Sequence, residues 1–227
     1  MPFCHISVAD KALTNSLYYK GQAILSYTVR YPFFYSMKDL LILDQLNAYY
    51  STKAMMYIKK DIVNLYQRAM VDYEYSVAND FPVRPYEVLV GYQVTYNRDC
   101  ILSLYFDRYE YTGGAHGSTV RTSDSWNIAC SRPLTLMDLF PPDTNVRQYI
   151  IDRINEQIQT EAQNGSMIYF DDYENLVEQY LNLSNFYLTE DGIVIFFQQY
   201  DIATYSTGIP EFLIPYAIED ASLFGQC

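Results

Sequence analysis

Two stretches of the chain hold the residues whose types and spacing could do chemistry. The first is Tyr111-Thr112-Gly113-Gly114-Ala115-His116-Gly117, where a histidine sits inside a glycine turn. The second is Tyr200-Asp201-Ile202-Ala203-Thr204-Tyr205-Ser206-Thr207-Gly208, which runs on into Glu211-Phe212-Leu213-Ile214-Pro215-Tyr216. As a general base, His116 needs a nucleophile or an orienting carboxylate within hydrogen-bond reach, and Asp201 is the carboxylate on offer. A hydrolase built on His116 and Asp201 is therefore one reading. The expected reading is architectural: His116 locks its turn by hydrogen bonds, and Asp201 caps backbone N–H groups of its own loop. Tyr205 and the Ser206-Thr207 pair are then displayed at a loop tip, where binding commonly resides.

Other chemistries find little support. His5 and His116 are the two histidines, and no Cys or His cluster has metal-ligand spacing, so neither metal nor cofactor is expected. Asp171-Asp172 reads as the start of a helix, the end that favours acids. No Gly-x-Ser-x-Gly elbow, phosphate loop or dinucleotide fingerprint occurs. The chain reads as non-catalytic. Of the four cysteines, Cys100 and Cys130 carry a geometric expectation. If Gly113 to Gly117 is a hairpin tip centred on Ala115, these two face each other. They are then either a disulfide formed in an oxidising compartment or two buried thiols. Cys4 and Cys227 lie at the termini, where nothing constrains their pairing.

The formal charge is −12, which disfavours nucleic acid and anionic membrane surfaces and favours encounter with a cationic partner. Tyrosine fills 25 positions against a single tryptophan, a bias that suits half-buried sheet faces and interfaces. No apolar run is long enough to span a membrane, and no secretory signal is visible at the N-terminus.

The elements that must position the two motifs follow from periodicity. Residues 1–20 read as an irregular arm, and 21–227 as one domain with halves 21–108 and 109–216. Ile24 to Tyr35 alternates, with Leu25, Tyr27, Val29 and Tyr31 on one face, and reads as a strand. Leu43, Leu46, Tyr50, Ala54, Ile58, Ile62, Leu65 and Ala69 then form the stripe of a long helix that fades before Asp80-Phe81-Pro82. Tyr86 to Tyr96, Leu102 to Phe106 and Val120 to Ile128 read as strands, the last two joined by the glycine-rich hairpin turn. A short helical turn at Leu136 to Phe140 precedes a helix capped by Asp143 or Thr144, carrying Val146, Ile150, Ile154 and Ile158 and ending at Asn164-Gly165. Tyr173 to Leu181 is a second short helix. Strands around Phe186–Leu188, Ile193–Gln198 and Phe212–Tyr216 close the chain, with a tight turn at Asp191-Gly192. Ile193 to Phe197, apolar on both faces, belongs in the middle of a sheet. The expected fold is α+β, a mostly antiparallel sheet packed with one long and two shorter helices.

In order and spacing the two motifs resemble the extracytoplasmic domain of RsiV-type anti-sigma factors, which also occurs N-terminally in PdaC-type peptidoglycan deacetylases. The intervening Leu134–Phe140 segment, with its Leu-x-Asp-Leu-Phe ending, and the strand Asp191–Phe196 share the resemblance. It is specific over Tyr109 to Tyr216 and looser over Ile24 to Tyr96, which resembles the segment that usually precedes this domain. It marks Tyr111, Gly113, Gly114, His116, Gly117, Tyr200, Asp201, Tyr205 and Gly208 as family-motif residues. Thr204 departs from the family pattern, which tends to have proline there. The resemblance implies an extracytoplasmic binding or sensor domain, with a cationic protein such as lysozyme as partner. The alternative is an accessory module that binds the glycan of peptidoglycan. With no leader visible, a cytoplasmic location is the alternative to an extracytoplasmic one.

Overall fold

A computed structural model of the protein describes residues 6–36, 41–165 and 168–216. Cys4, His5 and Cys227 lie outside the described residues. Strands β1 (Ser7–Tyr19), β2 (Gln22–Tyr35), β3 (Tyr86–Arg98), β4 (Ile101–Tyr111), β5 (Ser118–Asn127) and β6 (Arg132–Pro133) hydrogen-bond in that order. Strands β7 (Phe186–Leu188), β8 (Gly192–Phe196) and β9 (Glu211–Pro215) form a second, three-stranded sheet. The helices are α1 (Leu41–Tyr57), α2 (Val63–Ala78), α3 (Val146–Gln163) and α4 (Tyr173–Tyr180). The fold is α+β, as the periodicities imply. The chain divides into two compact units, one of Ile6–Tyr92 with Phe106–Val120, the other of Gln93–Tyr105 with Arg121 onward. These units interleave along the sequence. The long strands β3, β4 and β5 each contribute to both.

In the first unit, Ser7–Tyr19 is a strand paired along its whole length with β2, not an irregular arm. Its sequence lacks clean alternation because it is an edge strand, exposed or half-exposed throughout. Lys20 (φ 48°) and Gly21 (φ 84°) make the two-residue turn into β2, both in the left-handed region such turns require. From β2 the chain crosses over through α1 and α2 and returns parallel to it, with Leu25 beside Tyr86 and Val29 beside Val90. All of the helical stripe is buried except Ile58, which is partly so. Between α1 and α2, Ile58–Ile62 winds as a π-helical turn. From Leu46 to Ile62 the apolar residues recur every fourth position, which on a 3.6-residue helix drifts by roughly 40° per step. The wider turn absorbs that drift and keeps the stripe on one face. Asn47 fastens α1 to the end of β2, its Oδ1 accepting from Phe34 N (2.7 Å) and its Nδ2 donating to Phe34 O (2.9 Å).

In the second unit, α3 and α4 cover the three-stranded sheet. Ile150, Ile154, Ile158, Val177, Leu188 and Ile195 are at most 0% exposed at its centre. β8 is the middle strand and is buried on both faces, as its unbroken apolar run demands. The cap of α3 is Asn145, whose side chain accepts from Gln148 N, and not Asp143 or Thr144. Between β5 and α3, Thr135 caps a 3₁₀ turn, Leu136–Leu139. Asp138 accepts from Thr135 N and Thr135 Oγ1 (both 2.7 Å) and pairs with Arg132. The Arg132 guanidinium holds the Asp138 carboxyl down at about 2. A carboxylate whose folded pKa lies below its unfolded value adds stability above the unfolded pKa and loses it on acidification. Asp138→Asn is therefore expected to cost on the order of 1 kcal/mol at pH 7, after allowing for solvent screening. That deficit should vanish between about pH 4 and pH 2. Urea melts across that range check it, and a deficit unchanged at pH 2 would refute the linkage.

Candidate functional site

The first motif belongs to the first unit. Tyr111, half-buried, ends β4, and Gly113 turns the chain at φ 84°. Gly117 must be glycine, because a Cβ there would stand 2.4 Å from the Tyr109 ring and 2.7 Å from Glu110 O. Gly114 and His116 are exposed, and His116 Nδ1 hydrogen-bonds Gly117 O (3.1 Å), a bond within its own turn. The second motif belongs to the other unit. Asp201 Oδ2 accepts from Gln198 N (2.8 Å), and burial raises the carboxyl's pKa, opposed by that bond. Asp201 is thus a loop-bracing residue. Tyr200 is held at φ 69°, unusual for a bulky residue, and is 55% exposed with its ring 5.8 Å from that of Tyr205. Tyr205 to Thr207 is a 3₁₀ turn closed by Gly208 (φ 76°), whose N–H donates to Tyr205 O.

Cys100 and Cys130 are both disulfide-bonded. Both lie in turns. Asp99 (φ 52°) and Cys100 (φ 60°) form the left-handed turn between β3 and β4, and Cys130 lies in the turn between β5 and β6. Ile128 N–H donates to Cys100 O (2.7 Å).

A cavity with a volume of about 380 Å³ lies elsewhere, at the end of α2. Its construction begins with how the helix stops. Asp80 takes the left-handed conformation (φ 54°) usually given to glycine. Phe81 N then donates to Ser76 O (2.8 Å) and Asp80 N to Val77 O (3.4 Å). This paired arrangement satisfies the last carbonyls and brings the Phe81 ring to 6.1 Å from that of Tyr75. Both rings are largely exposed, at 63% for Tyr75 and 55% for Phe81. Deeper in, Tyr86 OH donates to Asp72 Oδ2, and burial with that bond pushes the tyrosine up to about 12. Arg84 closes the far wall by donating to Gly113 O (3.1 Å) and Gly114 O (3.4 Å). The first motif thus meets the cavity through Thr112 and Gly113. Two exposed aromatic rings, a carboxylate and a guanidinium converge there, a lining suited to holding a small polar ligand.

No group of three or more His, Cys, Asp or Glu among the described residues could hold a metal. No described helix is long and apolar enough to cross a membrane. Sequence reading missed Asp72, Tyr75, Phe81, Arg84 and Tyr86 as a group. The signal was the helix break at Asp80-Phe81-Pro82, which places Phe81 beside the last turn of α2.

An α+β chain of two interleaved units, its two turn motifs divided between them, has known relatives. Residues 19–119 match the family model described as "Deacetylase PdaC", and residues 137–217 that described as "Protein of unknown function (DUF3298)". Among curated proteins the chain is similar to the peptidoglycan-N-acetylmuramic acid deacetylase PdaC of Bacillus subtilis, at 24% identity over 78% of this chain and 34% of that protein. It is also similar to the immunogenic protein MPT64 of Mycobacterium tuberculosis, at 24% identity over 51% of this chain and 49% of that protein. The chain thus spans between a third and a half of the length of these relatives. Two crystal structures share its fold. One is a DUF3298-family protein of Bacteroides fragilis (TM-score 0.69, 21% identity, 93% of this chain and 90% of that one). The other is from Pseudomonas aeruginosa (TM-score 0.51, 16% identity, 92% and 91%).

Proposed function

We propose that the protein is a non-catalytic binding module that works outside the cytoplasm and recognises the glycan of the cell wall. The observation that carries this reading is the aromatic and polar lining of the cavity at the end of α2. Disulfide-bonded Cys100 and Cys130 suit an oxidising compartment. The Bacillus subtilis relative is by name a deacetylase of peptidoglycan. The local backbone bonds of His116 and Asp201 fit bracing better than hydrolysis. Retention on insoluble peptidoglycan at moderate salt is the expected result. Protein left entirely in the supernatant would remove the glycan reading.

The charge of −12 favours a second reading, an RsiV-like sensor that binds a cationic protein such as lysozyme. Calorimetry with lysozyme at low and moderate salt separates the two. Heat that weakens as salt rises, without retention on peptidoglycan, would select the sensor.

A further inference from the structure

We infer that the cavity at the end of α2 is the ligand site, and that its ligand is a neutral N-acetylated hexosamine unit of a glycan strand. This rests on the glycan reading above and gives it a place in the chain. The volume, about 380 Å³, sits at the small end of the range for ligand pockets, which fits a sugar unit and not an extended polymer surface. Tyr75 and Phe81 offer exposed flat rings at the rim, and the C–H face of a pyranose is the apolar surface such rings stack on. Inside, acceptors and donors are both present. Asp72 Oδ1 takes no hydrogen bond among the described residues, since the Tyr86 hydroxyl occupies Oδ2. Arg84 uses one terminal nitrogen on the Gly113 and Gly114 carbonyls, while its other terminal nitrogen and Nε make no hydrogen bond among the described residues.

A ligand of either net charge meets an opposing group, Asp72 for an anion and Arg84 for a cation. A neutral ligand carrying both hydroxyl donors and carbonyl acceptors satisfies both, and an N-acetylated sugar has each. Ser76 and Thr112 add hydroxyls to the wall. The strongly acidic chain disfavours nucleic acid and anionic lipid headgroups for the same place.

The test uses the intact protein and the tetramer of N-acetylglucosamine, titrated by calorimetry and by NMR shifts of the aromatic protons. Wild-type protein should bind, with shifts among tyrosine and phenylalanine ring signals. Phe81→Leu and Tyr75→Leu keep an apolar contact against the last turn of α2 but remove the flat face. Each should weaken binding by about three- to tenfold while leaving the circular-dichroism melt nearly unmoved. Asp72→Asn should weaken it comparably, and Tyr200→Leu, in the other unit, should not. If wild-type protein is retained on peptidoglycan but the tetramer produces no heat or shift, or both leucine variants titrate as wild type, the cavity assignment falls and the glycan reading stands. If wild-type protein binds neither, both fall.

Discussion

Arg121→Ala is expected to lower the unfolding free energy by about 3 kcal/mol, read as a shift of the urea midpoint at unchanged slope. Arg121 is 8% exposed, on the strand that leads out of the first motif. Its guanidinium pairs with Glu211 on β9 and lies 3.8 Å from the centre of the Tyr105 ring, with Phe196 at 5.9 Å. The Gln198 side chain reads its backbone in both directions, accepting from Arg121 N (2.9 Å) and donating to Arg121 O (2.7 Å). Truncation removes a buried cation, its ring contacts and the stem that fills the space between them. Glu211 is 42% exposed and can find water, which holds the loss at the low end of the range for broken buried pairs. Arg121→Met restores volume without charge and should recover about half of the deficit. A methionine variant as unstable as the alanine one would show that the ion pair, and not packing, dominates.

The fold was readable where one periodicity persisted long enough to be recognised. The helical stripe from Leu43 to Ala69, the alternation of Leu25, Val29, Tyr86 and Val88, and the unbroken run at Ile193–Phe197 all took their places, because burial on one face or two leaves that mark. β1 was missed for the converse reason. An edge strand with little burial has no stripe, and its pointer was the Lys20-Gly21 turn, a two-residue signal without a glycine-asparagine or glycine-aspartate pair. The π-helical turn was visible only as a spacing of four repeated from Leu46 to Ile62. The cap of α3 slipped because Asp143, Thr144 and Asn145 are all good caps and only the backbone decides among them.

The candidate site was less legible. Its motif residues were found as turn formers, and turn forming is what Gly113, Gly117, Asp201 and Gly208 do. The cavity at the end of α2 depends on Asp80 adopting a conformation that sequence assigns first to glycine. It also depends on Arg84 reaching carbonyls of Gly113 and Gly114, a contact between segments far apart in the chain. Nothing local encodes that meeting; it is set by the crossover that returns the chain parallel to β2. The cysteines show the same limit. A hairpin centred on Ala115 sets Cys100 and Cys130 face to face, whereas both stand in turns, and Ile128 N–H bonds Cys100 O.

Gly192→Ala is expected to cost about 3 kcal/mol or more and to reduce the yield of folded protein, because the added Cβ would meet backbone atoms. Gly192 opens β8 and pairs with Pro215 on β9. A Cβ there would come 2.3 Å from Ile214 O and 2.9 Å from both Ile214 C and Pro215 Cα, none of which can rotate aside as a side chain could. Relief requires β9 to move away from β8. That would pull Phe212 and Ile214, each 1% exposed, out of the core they share with Ile150 and Ile154. The separation would also strain Glu211, and with it the pair to Arg121. Gly91→Ala is the matched control, since a Cβ at that strand position meets nothing within 4 Å. Its stability should stay within about 0.5 kcal/mol of wild type, or rise slightly as the unfolded chain loses freedom. Paired urea melts decide it, and a Gly192→Ala protein as stable as Gly91→Ala would mean that β8 and β9 do not approach as closely as their register requires.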